Sequence, residues 1–427
     1  MMPSLRWNIS NLSDHTARGV FFDLFGDGLF TADHDLWKRQ RKAVAMALSS
    51  SSFRDQNIIP FAKVTAGNLI YPGCLSSGPL LDVPFAMAFD EAVEACTYRL
   101  ILPPFFWSCM RFLNVGSEKM LRRAQAVICD FVSEMVKCRT EELKPEKGIK
   151  HGDILPTFIN MEEEEGRSPS EKLLQDLTIS ILLAGRDTSA LALSWFFWLL
   201  SMHPNVELKI ISEITQILKS KHMNGNNNNS CDKINMFGLE ELRCMNYLQA
   251  AISESLRLYP PVPVSYRQAM EDSILPDGTH VKKGSKLLYF IYATKRMESL
   301  WGKDALEFKP ERWINKDGVC MKEWDYKYPV FNAGPRLCLG RDTAYVNMKL
   351  MAANILARYK VKVDPAHIVK PKFGLTLFMK HGLKRCRATG DPSVEDLYYQ
   401  CVALDQEPVQ VDLDREPVKV HPGTPSI

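Results

Sequence analysis

Most of what this chain lacks is informative. None of its eleven cysteines forms a C-x-x-C pair, so neither a zinc knuckle nor a redox dithiol is written in it. Their number is odd and they scatter from Cys74 to Cys401, the pattern of free thiols in a reducing compartment. A one-sided charge is also absent: 53 Lys and Arg against 50 Asp and Glu leave a net charge of +3, with no basic stripe for a nucleic acid. The opening MMPSLRWNISNLSDHTARG has no apolar core, so no secretory signal is expected, and the N-x-S triplets at Asn8, Asn11 and Asn228 are discounted as glycosylation sites. The most apolar stretch, 173–200, carries Arg186 and Asp187 at its middle, where charge is costly in hydrocarbon; it reads as a buried helix, not a membrane span. Gly26-Asp27-Gly28 lacks the third glycine and the preceding strand of a dinucleotide loop, so no internal NAD or flavin site is expected. There are no internal repeats.

What remains is a chain of 427 residues, 46% hydrophobic, long enough to bury a large core. Leu36, Trp37, Val44 and Leu48 recur at helical spacing with basic residues between them, which predicts a basic amphipathic helix over 35–48. A long helix is predicted over 118–142, with Leu121, Ala124, Val127, Ile128, Phe131 and Met135 on one face. Another enters through Ser168-Pro169-Ser170-Glu171, with Pro near its first turn, and runs to His203-Pro204. Strand-like runs come only later, at 279–281, 286–291 and 375–379. NGNNNNS at 224–230 reads as a loop insertion, and the chain from about Thr389 to Ile427 as a disordered tail. The fold class expected is mainly α with small β sheets.

The chemistry concentrates in FNAGPRLCLG, where Cys338 precedes a helix predicted over 341–359 with Ala344, Met348, Met351 and Ile355 on one face. A thiolate at that place gains from free backbone N–H groups and the helix dipole, a good seat for an anionic metal ligand. A buried free cysteine at a turn is the usual fate of a lone Cys. The whole pattern F-x-x-G-x-R-x-C-x-G, however, resembles the haem-binding signature of the cytochromes P-450 at every fixed position. That resemblance implies haem b, with Cys338 as the proximal iron ligand. It also implies that Arg336 meets a haem propionate, that Phe331 packs beside the thiolate, and that Gly334 and Gly340 permit the turn and the close approach of the haem.

Ala184-Gly185-Arg186-Asp187-Thr188-Ser189 resembles the family's A-G-x-D-T segment, which lies over the distal face of the haem. Gly185 then leaves room for O2, and Asp187 and Thr188 are the candidates for proton delivery. Without Cys338, the same residues would read as a back-bonded Thr and an ion pair between Asp187 and Arg186. Glu254-x-x-Arg257 shares its spacing with Glu164/Arg167 and Glu240/Arg243, so spacing alone decides nothing. Only Glu254/Arg257 is followed by Leu258-Tyr259-Pro260-Pro261-Val262-Pro263, and by resemblance it joins Arg312 of Pro310-Glu311-Arg312-Trp313 in a structural cluster. Trp37 and Arg41, at W-x-x-x-R spacing on one helix face, are candidates for a second propionate clamp. Arg267 is a looser candidate for another propionate contact, with an ordinary surface Arg as the alternative.

FGDGLFTADHDLWKRQRKA, LAGRDTSALALSWFFWLL, MESLWGKDALEFKPERW and LTLFMKHGLK resemble the plant long-chain fatty-acid omega-hydroxylases, over roughly 14–384. This branch implies terminal hydroxylation of fatty acids with O2 and electrons from NADPH through a separate flavoprotein reductase. Lys322, Lys327, Arg341 and Lys349 are candidates for docking that reductase, against a plain solvated face. Ile179, Leu183, Val262, Val264, Leu377 and Phe378 are candidates for a channel that presents only the chain end, against plain core packing. The expected domain runs over 14–388, with 1–13 unassigned and a shortening around 53–80. The branch's membrane anchor, Pro-rich linker and early β region are expected to be missing before Asp14, so the chain reads as N-terminally truncated. By resemblance the site of action is the cytosolic face of the endoplasmic reticulum membrane. Two rivals stand beside this reading: a haem-thiolate enzyme that rearranges peroxides, which has no need of the distal Thr, and an inactive haem-binding remnant. A P-450 acting on another apolar substrate is a third possibility.

Overall fold

The computed structural model describes residues 9–10, 15–50, 83–142, 154–223, 237–269, 271–363, 367–380 and 386–389. The insertion at 224–230, the shortened region at 53–80 and the tail beyond Thr389 lie outside them. Among the described residues the order is β1 (Ile9–Ser10), α1 (His15–Phe25), α2 (His34–Ser49), α3 (Val83–Ile101), α4 (Pro104–Leu113), α5 (Gly116–Glu142), α6 (Ile154–Glu164), α7 (Glu171–Met202), α8 (Pro204–Met223), α9 (Leu239–Cys244) and α10 (Asn246–Leu258). There follow β2 (Ser265–Ala269), β3 (Ser273–Ile274), β4 (His280–Val281), β5 (Lys286–Tyr289), α11 (Ile291–Thr294), α12 (Glu298–Trp301), α13 (Arg341–Leu356), β6 (Lys360–Val363), β7 (Pro371–Phe373), β8 (Leu377–Met379) and β9 (Cys386–Thr389). The chain is mainly helical with small antiparallel sheets, as the sequence predicts.

α7 is the axis. Its 32 residues span about 48 Å. It begins at Ser170, whose side chain accepts the Leu173 N–H at 3.2 Å, so Pro169 lies one residue before the cap and not in the first turn. It ends where Pro204 opens α8. The two halves of α7 belong to different cores. Leu174, Leu177, Ile179 and Leu183 pack with α1, α2, α3, α5 and α6. Ala192, Leu193, Phe196 and Leu200 pack with α8, α10 and α13. The A-G-R-D-T segment falls at the junction. Among the described residues no helix is long and apolar enough to cross a membrane.

Three sequence expectations change. β1 pairs with β2, Ile9 opposite Ala269, so a β element does precede Asp14. Two residues held by backbone pairing carry no periodicity that could reveal them. α13 ends at Leu356 and is buried on more than the one expected face, since Met348, Lys349, Leu350, Ala352, Ala353 and Asn354 are all inside; it lies against α7, α9, α10 and β6. The run 286–291 splits, with Ile291 opening α11 instead of ending β5. Gly26-Asp27-Gly28 is a packing joint. The Asp27 N–H donates to Asp176 Oδ2 at 3.0 Å, and a Cβ on Gly26 or Gly28 would run into Asp176 on α7.

Candidate active site

The Cys338 loop is built from tight turns between Tyr328 and α13. One turn covers Pro329–Phe331 and the next Gly334–Arg336, separated by Asn332 at φ 61°. Gly334, at φ 66°, sits in the left-handed region that side chains resist. The Cys338 N–H closes the loop onto the Phe331 carbonyl at 2.8 Å, while the Phe331 ring packs on Tyr345 at 5.3 Å. Cys338 thus stands two residues before Gly340, the cap of α13, and its sulfur accepts the Gly340 N–H. Burial pushes the thiol up, and Gly340, Arg41 and Arg341 oppose that. The side chain is nonetheless solvent-accessible, so the sulfur lies in a recess crowded by protein and open on one side. A Cβ at Gly340 meets nothing within 4 Å, and the same holds at Gly185 on α7.

Beside the loop three guanidinium groups converge. Arg336 stacks on Trp37, its carbon 3.7 Å from the ring centroid, with Arg41 at 5.4 Å from the same ring. Arg41 Nη2 donates to the Leu337 carbonyl at 2.7 Å, which ties α2 to the loop. Arg336 Nη2 meets Asp33 at 2.9 Å, but its Nη1 is buried without a partner. Arg267 spends its donors on Ser265, the Tyr266 carbonyl and Asn332. Burial lowers Arg336 to about 10, opposed by Asp33 and reinforced by the like charges of Arg267 and Arg41. Burial likewise lowers Arg41 and Arg267. Asp33 alone cannot balance three cations, so the cluster is short of negative charge by what a group bearing two carboxylates would bring. A thiol at an open recess, unfilled glycine positions and an orphaned guanidinium N–H together fit haem.

On α7, Thr188 Oγ1 donates to the Ala184 carbonyl at 2.6 Å, and Asp187 Oδ1 accepts Arg186 Nη1 at 2.9 Å. These are the contacts of the plain structural reading. Yet Ala184 and Gly185 are accessible, and the second carboxylate oxygen of Asp187 is buried with no partner. Burial pushes Asp187 up, against the pull of Arg186.

Glu254 and Arg257 are both fully buried, bridged at 2.8 and 2.9 Å. Arg257 also donates to the carbonyls of Lys295, Ala305 and Glu307, and Arg312 Nε reaches Glu254 Oε1 at 3.2 Å. Of the two lookalikes, Glu240/Arg243 is an exposed pair and Arg167 turns to Glu162 and Glu165 instead of Glu164. Sequence reasoning missed Trp313, whose indole N–H donates to Glu254 Oε2 at 2.8 Å, and Asp33. An indole, a donor by itself, at the end of Pro310-Glu311-Arg312-Trp313 was the available signal.

Two groups of candidates need correction. Lys349 cannot dock a partner: it is buried, and its amine donates to the Leu242 carbonyl at 2.6 Å. Lys327 is half-buried against Glu323 and the Trp301 ring, and Arg341 is drawn to Asp325 and Asp342, so Lys322 is the exposed one of the four. Ile179, Leu183 and Leu377 lie in the cores, where the packing alternative applies; Val262, Val264 and Phe378 are part-exposed.

The family model for Cytochrome P450 matches residues 84–385. The chain is 44% identical over 413 residues to "Cytochrome P450 86B1" of Arabidopsis thaliana, covering 88% of this chain and 73% of that protein. It is 36% identical to "Cytochrome P450 94A2" of Vicia sativa, over 84% of this chain and 74% of the other. It is 34% identical to "Alkane hydroxylase MAH1" of Arabidopsis thaliana, over 85% and 77% respectively. With this geometry, the matches establish that the chain belongs to the cytochrome P450 family, haem b monooxygenases that use O2 and a redox partner to hydroxylate apolar substrates.

Proposed function

We propose that this protein hydroxylates the terminal carbon of long-chain fatty acids, with Cys338 as the thiolate ligand of the haem iron. The observation that carries the haem assignment is the convergence of Arg41, Arg267 and Arg336 beside Cys338, with Arg336 Nη1 left without a partner. Haem b, when bound, supplies the iron centre at which O2 is activated. Arg336 and Arg41 hold the propionates, and Trp37 fixes both guanidinium planes by stacking. Arg267 adds positive charge to the same cluster. The Gly340 N–H and Arg41 favour the thiolate form of Cys338 against its burial. Gly334 sets the turn, Gly340 leaves the approach clear, and Phe331 closes the loop through its carbonyl. Thr188 and Asp187 hold and pass protons on the distal side, and the unpartnered oxygen of Asp187 suits it to that task. Glu254, Arg257 and Arg312 keep the scaffold rigid. The domain doing this runs over 14–388.

The stretches shared with plant omega-hydroxylases support the fatty-acid substrate, and the relative named an alkane hydroxylase supports a long apolar chain. Electrons come from NADPH through a separate flavoprotein reductase, with Lys322 as one contact. Membrane association at the cytosolic face of the endoplasmic reticulum is supported by α4, which leaves Phe105, Phe106, Phe112 and Leu113 exposed around Arg111. The purified protein loaded with haem should give a ferrous–CO spectrum of the thiolate-ligated type, lost in Cys338→Ala; wild-type protein that takes up no haem would reject the reading. Supplied with reductase and fatty acids of graded length, it should place the hydroxyl at the terminal carbon. Oxidation of none of them would remove the fatty-acid assignment.

A further inference from the structure

α3 carries a polar stripe, Asp90, Glu94 and Thr97, whose spacing of four and three puts all three on one face. Each reaches a different part of the fold. Asp90 Oδ1 accepts Arg186 Nη1 from α7 at 3.0 Å. Glu94 Oε1 accepts Lys372 Nζ from β7 at 3.0 Å, and Thr97 Oγ1 accepts the Leu375 N–H, between β7 and β8, at 3.2 Å. One helix therefore ties the A-G-R-D-T segment to the hairpin that carries Phe378.

The tie ends on a shared donor. The same Arg186 Nη1 that meets Asp90 lies 2.9 Å from Asp187 Oδ1. One carboxylate is at the surface, 61% exposed, and the other is buried at 7% with its second oxygen unpartnered. The outer contact alone contributes little stability, because an exposed pair is screened. It matters through its partner.

We propose that Arg186 is a positioning residue that couples the placement of α3 and the β7–β8 hairpin to the proton held by Asp187. This rests on the assignment of Asp187 to proton delivery. When the guanidinium sits on Asp187, the carboxylate form is favoured. When Asp90 draws it away, a buried carboxyl group short of donors favours the neutral acid. Arg186 on the same helix and Asp90 on α3 are the charged groups that act on Asp187. A chain bound against the hairpin that shifts α3 thereby changes how the guanidinium is shared. By linkage, the state of Asp187 feeds back on binding.

The direction of each substitution follows. Asp90→Asn removes a like charge and leaves Arg186 to Asp187, so the Asp187 titration midpoint falls. Arg186→Gln removes the opposing cation, so it rises. Arg186→Lys keeps the charge and loses the fork, so it returns part of the way to wild type. The measurement is the carboxylic acid C=O band in the infrared, identified by its loss in Asp187→Asn and followed against pH in the haem-loaded protein. Opposite shifts in Asp90→Asn and Arg186→Gln are expected; no shift in Asp90→Asn, or shifts of one sign in both, would overturn the proposal. Asp90 is exposed, so its Asn variant is expected to retain the fold and the comparison does not depend on the harsher change. Glu94→Gln together with Thr97→Ala should erase the additional shift that an added fatty acid causes in wild type, since the two side chains are the ties to the hairpin, and a shift that persists in the double variant would detach the hairpin from the coupling. Product formed per NADPH consumed should drop at least about twofold in Arg186→Gln with KM little changed. An Asp187→Asn protein with unaltered product yield and pH profile would instead refute the role of Asp187 itself, whatever the infrared shifts.

Discussion

Trp313 shows how much can rest on a single nitrogen. Glu254 is surrounded by donors: Arg257 at both oxygens, the Lys309 N–H and Arg312 at Oε1, and the Trp313 indole at Oε2. Trp313→Phe keeps an aromatic ring, though a smaller one, and removes one donor from a fully buried carboxylate, a loss of about 1–3 kcal/mol from the donor alone that thermal unfolding would register. Arg257→Ala strands the charge altogether and should cost about 3–5 kcal/mol. An unchanged melting temperature in both would mean that the cluster is not what holds this region. Glu254, Arg257 and Arg312 could be singled out in the sequence by the family pattern their segments resemble, not by spacing, since Arg312 lies 58 positions from Glu254. Trp313 offered a donor but no sign of its acceptor, and Asp33 offered no signal, because their partners lie 59 and 303 positions away and nothing in the local pattern encodes such a distance. The same holds for Lys349, read from its neighbours as a surface cation but taken inside by the Leu242 carbonyl.

At the scale of elements, periodicity revealed some of the helices with one wet face, while α3, α4 and α8, which also have exposed residues, carried no pattern clear enough to predict them. The periodicity over 35–48 and 118–142 matches α2 and α5 closely, since both lie at a boundary between core and solvent. It found α13 and the face of Ala344, Met348, Met351 and Ile355 but not the burial of its other faces, and it missed β2, where Ser-Tyr-Arg-Gln-Ala takes its place from pairing on both sides and not from alternation. α4 presents the opposite case. Its apolar side chains are at the surface, with Phe112 88% exposed, although Trp107 of the same helix is buried. Phe112→Asp should leave the melting temperature unchanged and weaken sedimentation with vesicles of mixed neutral and anionic lipid. Equal sedimentation of the two proteins would show that α4 does not touch lipid.

For the molecule as a whole, one buried amine sets part of the pH response. Lys295 is inside, stacked near Trp301 and Tyr328 with its ammonium donating to the Lys327 carbonyl, and burial together with Arg257 lowers it to about 7. In the unfolded chain the same lysine keeps its proton to its ordinary value of 10.5. Between these values the unfolded chain binds more protons, so stability climbs with pH across that window and the cost of burial is fully present below it. Lys295→Met should flatten the rise of the melting temperature between about pH 7 and 10. A slope equal to that of wild type would assign the effect to other groups.

Because α7 lends one half to each core, each core can open by fraying its own half of the rod. Amide exchange along it should divide into two cooperative blocks that meet near Gly185, where a glycine already weakens the helix. The distal segment is then the seam between two folding units, free to flex at little cost while the ends of the same helix stay locked.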